Sequence, residues 1–336
     1  MPLSDLDLDC APVAPAGSLG GVPVIGLTAP AQEVVEAVGQ ACRDWGFFQV
    51  VGHDVPQSAI DSVLDLSHRY FALPAETKRR HMRSIDNPWG YYDRELTKEQ
   101  RDRKQVFDIG PDAGDGARGA DPFQGTTPWP HQPTGFEAEL RRWYGAMATV
   151  AGRIMGLISA SLTGNSEQLR SAFEPGHSSH LRLNFYPVAD PLGDEVQGEA
   201  RLGDANLGVH HHTDAGGLTV LLQDGVSGLQ LYREGMWHTV EPVSGAFTIN
   251  IGDMVQVWSN DLYKAPLHRV LAMDSSDRYS LPFFYNPSYA ALVAPLVGKP
   301  RYRPLSWSEF RRRRAEGDYA DYGTEVQIAE WRIAAD

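Results

Sequence analysis

Paired cysteines, basic clusters and long apolar runs are all scarce in this chain, and each scarcity removes a class of function. The 336 residues include only two cysteines, Cys10 and Cys42. Two cysteines build no disulfide framework, so a packed core must hold the fold, as expected in a reducing cytosol. No uninterrupted apolar stretch approaches the roughly 18 residues that suggest a membrane span. The N-terminus, Met1 to Asp7, is acidic and lacks the basic and apolar segments of a secretory signal. A soluble, cytoplasmic protein without a membrane partner is the expectation. Positive charge is also in deficit, with 43 acidic against 30 basic residues and a formal charge of −13. Phosphate contacts need clustered cations, so this balance argues against a nucleic-acid partner. The one basic run, Arg311 to Arg314, lies in a C-terminal helical pattern and reads as a solvated helix face.

What is present is ordinary for a globular chain: 42% hydrophobic and 22% charged residues, with length enough for an ample core. Residues 1–22 are rich in Ala, Pro, Gly and Asp and read as a loose arm. Over residues 30–46, Val34, Val35, Val38, Cys42 and Trp45 recur at helical spacing, and Gly46 ends that helix before the strand Phe47 to Val51. A second helix runs from about Gln57, with Ile60, Val63, Leu64, Tyr70 and Phe71 inward, until Pro74. Residues 83–133 have little periodicity, and such a stretch is usually functional or disordered. Thr134 and Glu137 fit a capping box for the longest helix, which Gly164 ends. His53 reads as a loop or core histidine.

From His180 the pattern turns to strands. Leu181 to Tyr186 alternates and puts Arg182, Asn184 and Tyr186 on one face. Residues 188–208 form a Gly- and Asp-rich loop, either a lid or a plain insertion. Leu218–Gln223, Leu229–Tyr232, Trp237–Val240, Ala246–Ile251, Met254–Trp258 and His268–Ala272 then read as short strands of an antiparallel barrel or jelly roll. Pro282 should bend or end the strand that begins at Arg278, with one of Phe283 and Phe284 facing a pocket.

Chemistry concentrates between His210 and Ser280. On a strand, His212 and Asp214 project from the same side, while His211 points away and His210 serves packing or support. His268 follows Asp214 by 54 residues, room for strands to fold back and bring a third ligand. Two histidines and one carboxylate on one face are the ligand set of non-haem Fe(II) oxygenases. Arg278 and Ser280 share a strand face, and a guanidinium fork grips a carboxylate bidentately.

His212-Thr213-Asp214, Leu218 to Asp224, Gly228-Leu229-Gln230, Asn250 to Asp253, His268-Arg269-Val270 and Arg278-Tyr279-Ser280, in that order, resemble the 2-oxoglutarate- and Fe(II)-dependent dioxygenase superfamily, in its isopenicillin N synthase-like branch. Trp45 to His53 is similar to the amino-terminal cap of the same family. The resemblance covers nearly the whole chain. It implies a distorted double-stranded β-helix (jelly roll, cupin-like) with a helical N-terminal cap over 1–133, a long supporting helix and catalytic core over 134–300, and a helical tail over 301–336, expected to close over the barrel mouth.

The resemblance further implies that His212, Asp214 and His268 bind Fe(II) and that Arg278 and Ser280 hold 2-oxoglutarate, with Tyr186 and Asn184 assisting. Tyr91, Tyr92 and Phe107 either line the substrate pocket or pack beneath a loop. Dioxygen is the second cosubstrate. The expected outcome is hydroxylation, desaturation or cyclisation at an unactivated C–H bond of a small metabolite or natural-product intermediate, with release of succinate and carbon dioxide. Asp214 itself disfavours halogenation, for which relatives carry a small residue in its place. A 2-oxoglutarate-independent oxidase of the isopenicillin N synthase or aminocyclopropane-carboxylate oxidase type shares these motifs and stays open, as does a non-catalytic binding barrel. Substrate identity and oligomeric state are not encoded in any pattern read here.

Overall fold

The computed structural model describes residues 8, 11–15, 21–84, 86–97, 100–111, 125–190, 192, 207–320 and 326–334. The cap begins with β1 (Val24–Gly26), α1 (Ala31–Asp44), β2 (Phe47–Val51), α2 (Gln57–Phe71) and α3 (Ala75–Arg79). Gly46 turns the chain from α1 into β2 at φ +63°, a left-handed conformation that glycine adopts without steric cost. The irregular stretch that follows contains four short strands, β3 (Gly90–Tyr92), β4 (Leu96–Thr97), β5 (Gln100–Arg101) and β6 (Gln105–Ile109).

The longest helix, α4 (Phe136–Thr163), starts differently from the capping-box expectation. Its N-cap is Gly135 at φ +83°, and no side chain caps it, so Thr134 and Glu137 do not play that part. Its end is as read: Gly164 sits at φ +76° and returns its N–H to the Ala160 carbonyl. Leu140, Met147, Ile154 and Ile158 are fully buried on one face, against α1, α2 and the barrel. Each such side chain contributes about 1.5–3 kcal/mol by leaving water. Length and hydropathy alone would let α4 cross a membrane; here its apolar face is used inside the protein.

The remaining elements are β7 (His180–Tyr186), β8 (Leu207–His212), β9 (Leu218–Gln223), β10 (Leu229–Arg233), β11 (Met236–Thr239), β12 (Phe247–Ile251), α5 (Asp253–Trp258), β13 (His268–Leu271), β14 (Arg278–Tyr285), β15 (Leu292–Val293), β16 (Leu305–Ser306) and α6 (Trp307–Ala320). Two sheets result. The larger runs β1-β2-β12-β9-β14-β7-β6-β3, and the smaller runs β11-β10-β13-β8. Together they form the double-stranded β-helix, with α1, α2 and α4 on the outside of the larger sheet.

Three local expectations are corrected. Met254–Trp258 is part of a helix rather than a strand; a short apolar run does not distinguish the two by itself. Pro282 does not end β14, which continues to Tyr285. Pairing with β9 runs unbroken through Pro282↔Leu221, whereas pairing with β7 skips from Ser280↔Asn184 to Phe283↔Leu181. The strand therefore tolerates the missing N–H where the β7 ladder is already interrupted. Third, β8 stops at His212, so Asp214 lies just past the strand rather than on it.

Candidate active site

The register of β8 against β13 sets His212 directly opposite His268. Asp214 enters from the turn after β8, and main-chain bonds hold that turn against the start of α5. The Asp253 N–H donates to the Asp214 carbonyl at 2.8 Å, and the Met254 N–H to the Gly216 carbonyl at 3.0 Å. The approach is close enough that a Cβ on Gly252 would lie 2.3 Å from the Gly216 carbonyl oxygen. A helix at 253–258, where a strand was expected, is thus part of what places Asp214.

The three side chains offer ligand atoms all within 4.8 Å of one another. His212 Nε2 is 3.5 Å and His268 Nε2 is 3.6 Å from the same Asp214 oxygen, Oδ1. Every other polar atom of the triad is occupied. His212 Nδ1 bonds the His210 carbonyl at 2.8 Å, and His268 Nδ1 bonds the Pro266 carbonyl at 3.1 Å. A carbonyl only accepts, so both Nδ1 atoms carry the proton and both Nε2 atoms keep a lone pair for a metal. Asp214 Oδ2 accepts from Asn250 Nδ2 at 2.7 Å and from the Thr219 hydroxyl, leaving Oδ1 facing the histidines.

Burial would raise the Asp214 carboxyl, yet His268 and His212 hold it well below the usual carboxylate range. Burial and the neighbouring His268 ring lower His212. At His268 burial acts downward too, but Asp214 outweighs it and the ring is raised. One carboxylate and two imidazoles, with Nε2 and Oδ1 converging, suit a ferrous ion.

Across the barrel, the β7–β14 register pairs Arg278 with Tyr186 and Ser280 with Asn184. Alternation turns all four toward the same interior, where they line one cavity of about 80 Å³ that also reaches the triad. Arg278 is only 1% exposed. Its Nη2 donates to Gln223 Oε1 at 2.9 Å and its Nε to the Val226 carbonyl at 3.1 Å, while Nη1 has no partner. The guanidinium lies 5.1 Å from the Tyr186 ring centroid. Asn184 Nδ2 donates to Ser280 Oγ at 3.3 Å. A buried guanidinium with an unused donor, beside a hydroxyl, fits a carboxylate-bearing cosubstrate.

A second cavity, of about 140 Å³, flanks the other side of the triad. The two share Lys104, Arg182, Val209, His212, Asp214 and Phe284. The cap supplies Glu95, Leu96 and Thr97 to this second wall, and α6 supplies Trp307, Arg311 and Arg314. Of the two phenylalanines after Pro282, Phe284 faces the cavities and Phe283 is buried in the core.

Several sequence readings are decided here. Tyr91, Tyr92 and Phe107 line neither cavity. Phe107 meets Tyr70 and Phe136 edge to face, Tyr91 bonds Gln105, and Tyr92 lies under Arg83. The Arg311–Arg314 run is not simply a solvated face. Arg314 is buried, donating to the Val326 and Thr213 carbonyls at 2.9 Å each. Thr213 separates two of the triad residues, so the tail reaches the metal turn itself. His53 is a packing histidine, stacked on Phe247 at 4.0 Å. Most of the 188–208 loop lies outside the described residues.

Comparison with known proteins agrees with this geometry. A family model described as the 2OG-Fe(II) oxygenase superfamily matches residues 177–287. A model described as the N-terminal of the non-haem dioxygenase in morphine synthesis matches residues 22–132. Naringenin,2-oxoglutarate 3-dioxygenase of Hordeum vulgare is 32% identical over 298 residues, covering 85% of this chain and 73% of that protein. Gibberellin 3-beta-dioxygenase 1 of Pisum sativum is 32% identical over 310 residues, covering 88% and 77%. The crystal structure of JOX2 in complex with 2OG, Fe and JA superposes with a TM-score of 0.75 at 29% identity, covering 92% of this chain and 88% of that one. The chain belongs to the 2-oxoglutarate- and Fe(II)-dependent oxygenase superfamily, and Fe(II) and 2-oxoglutarate are its cofactor and cosubstrate.

Proposed function

We propose that His212, Asp214 and His268 hold the ferrous ion, that Arg278 and Ser280 grip the far carboxylate of 2-oxoglutarate, and that a small metabolite is oxidised in the second cavity. The observation that carries this reading is the pairing of two half-sites on one interior: three converging ligand atoms, and a buried guanidinium with an unused Nη1. When bound, the metal supplies the activation of dioxygen that couples decarboxylation of 2-oxoglutarate, to succinate and carbon dioxide, with oxidation of a substrate C–H bond.

The chain's own residues orient and shield. Arg278, fixed by Gln223 and Val226, presents its free edge where a carboxylate can take two hydrogen bonds. Tyr186 covers one face of that guanidinium, and Asn184 steadies the Ser280 hydroxyl. Leu221, Leu229 and Val270 line the same cavity and keep water from the reacting groups.

The second cavity bears on the substrate class. Its wall carries Lys104, Arg182, Arg311 and Arg314 against two carboxylates, Glu95 and Asp214. Asp214 faces the metal, and Glu95 is enclosed by Arg83, Lys104 and Arg182. Lys104 and Arg182 are in turn paired with Glu95, Asp102 and Asp108, so the wall is polar but largely balanced within itself and suits a small polar metabolite. Named relatives act on small plant metabolites, among them naringenin and a gibberellin. Hydroxylation is the outcome we assign.

The test is anaerobic titration of 2-oxoglutarate into the Fe(II) protein, followed by its visible metal-to-ligand charge-transfer band. A band in the wild type, weakened in Arg278→Ala, is expected. No band despite measured iron binding would reassign Arg278 to the substrate's own carboxylate, as in an oxoglutarate-independent oxidase.

A further inference from the structure

The strand that carries His212 is held on one side only by its sheet. β8 is the edge of the β11-β10-β13-β8 sheet, and its ladder to β13 is irregular, with register shifts between His268 and Val270 and again between Val270 and Leu271. An edge strand with a broken ladder leaves main-chain groups unpaired and its side chains loosely aimed. Something else must fix the position of the first metal ligand.

The other side of β8 is occupied by the segment just after the β4–β5 hairpin. Arg103 donates its N–H to the Leu207 carbonyl at 3.3 Å. Asp102 Oδ1 accepts the His210 main-chain N–H and faces His210 Nδ1, each at 3.2 Å. The His210 carbonyl in turn takes the proton of His212 Nδ1 at 2.8 Å. Asp102 therefore anchors the residue whose carbonyl sets the ring orientation of His212.

Asp102 is itself immobilised. It is 0% exposed, and its Oδ2 accepts from Thr97 Oγ1 at 2.9 Å and pairs with Lys104 Nζ at 3.0 Å. A carboxylate with four directed contacts is a rigid acceptor, and side chains that hold a ligating histidine affect metal affinity although they never touch the metal. Thr97 and Lys104 also line the substrate-side cavity, so the same anchor borders both sites.

From this arrangement we infer that Asp102 is a positioning residue for the metal centre: a carboxylate from the N-terminal cap that fixes β8 at His210 and thereby aims His212. The inference rests on the metal site proposed above. In chain terms, the cap is not only a cover; it completes the support of a ligand contributed by the catalytic core.

The experiment is titration of Co(II), a spectroscopic substitute for the ferrous ion, into the metal-free protein with 2-oxoglutarate present. Asp102→Asn keeps the side-chain volume but turns a donor toward Lys104 and Thr97. We expect Co(II) affinity to fall by roughly 10- to 100-fold and the Co(II) ligand-field bands to shift. Thr97→Val removes one anchor of Asp102 and should move both readouts the same way by less. Arg101→Gln breaks the adjacent ion pair with Asp190 and should lower thermal stability while leaving the Co(II) spectrum alone. A folded Asp102→Asn with wild-type affinity and spectrum overturns the inference. If that variant does not fold, Thr97→Val decides: an unchanged spectrum overturns it, a shifted one supports it. Wild-type protein that binds no Co(II) instead overturns the metal-site reading, and this inference with it.

Discussion

The β8–β13 pair and the β7–β14 pair line one interior but are finished in opposite ways. At β8–β13 the atoms of the triad that point away from the centre are already engaged: both Nδ1 atoms by carbonyls, Asp214 Oδ2 by Asn250 and Thr219. At β7–β14 the main charged group is incomplete, because Arg278 is buried with Nη1 unpartnered. A buried polar atom without a partner costs free energy that a suitable ligand recovers. The triad is thus pre-organised by the protein alone, while the proposed clamp keeps an unused donor for a carboxylate.

Asp214→Ala gives the largest expected effect, since it removes the one carboxylate among the ligands. Co(II) affinity should drop by more than the roughly 10–100-fold typical of losing a supporting partner, and turnover should vanish. Metal affinity within tenfold of wild type, by competition with a chelating dye, would break the comparison at its stronger half.

Arg278→Lys comes next. It preserves the charge but not the fork, and Gln223, Val226 and the carboxylate cannot all be served by one ammonium. A loss of about 2 kcal/mol, or roughly thirtyfold in 2-oxoglutarate affinity by calorimetry, is expected, with metal affinity unmoved. Equal weakening of metal and cosubstrate would show that the two strand pairs do not act separately.

Thr219→Val sharpens the comparison at its small end. It is nearly isosteric and removes one of two bonds to Asp214 Oδ2, leaving that of Asn250. Metal affinity should fall by less than about tenfold, with 2-oxoglutarate binding to the metal-loaded protein little changed. A loss as large as that of Asp214→Ala would mean that Thr219, not the register of the barrel, sets the carboxylate.

Some of this was legible in residue order. Arg278 and Ser280, and Asn184 and Tyr186, were assigned to common faces from alternation alone, and the strand register bears that out. His212 and Asp214 were paired by the same argument, but β8 ends at His212, and the turn rather than strand alternation brings the carboxylate round. Met254–Trp258 reads as a strand because Met254, Val255, Val257 and Trp258 are apolar in any conformation, yet it lies in a helix. Thr134 offered a cap that Gly135 supplanted by adopting a left-handed φ. Thr219, Gln223 and Asn250 stood inside recognised motifs with no role attached, and Arg314 was hidden in a run that looked solvated. Asp102 had no local signal: its partner His210 is 108 residues away.

The sequence by itself determined which residues could be ligands and clamp, their order along the chain, and the period-two faces that present them. These follow from chemistry and neighbours a few positions apart, which periodicity records. Only the tertiary structure decided that β8 would lie against β13 and β14 against β7, so that triad and clamp share one interior. It also decided that Asp102 from the cap would close on β8 at His210, and Arg314 from the tail on the turn at Thr213. Such contacts join segments that share no local pattern, and burial together, not spacing, is what selects them.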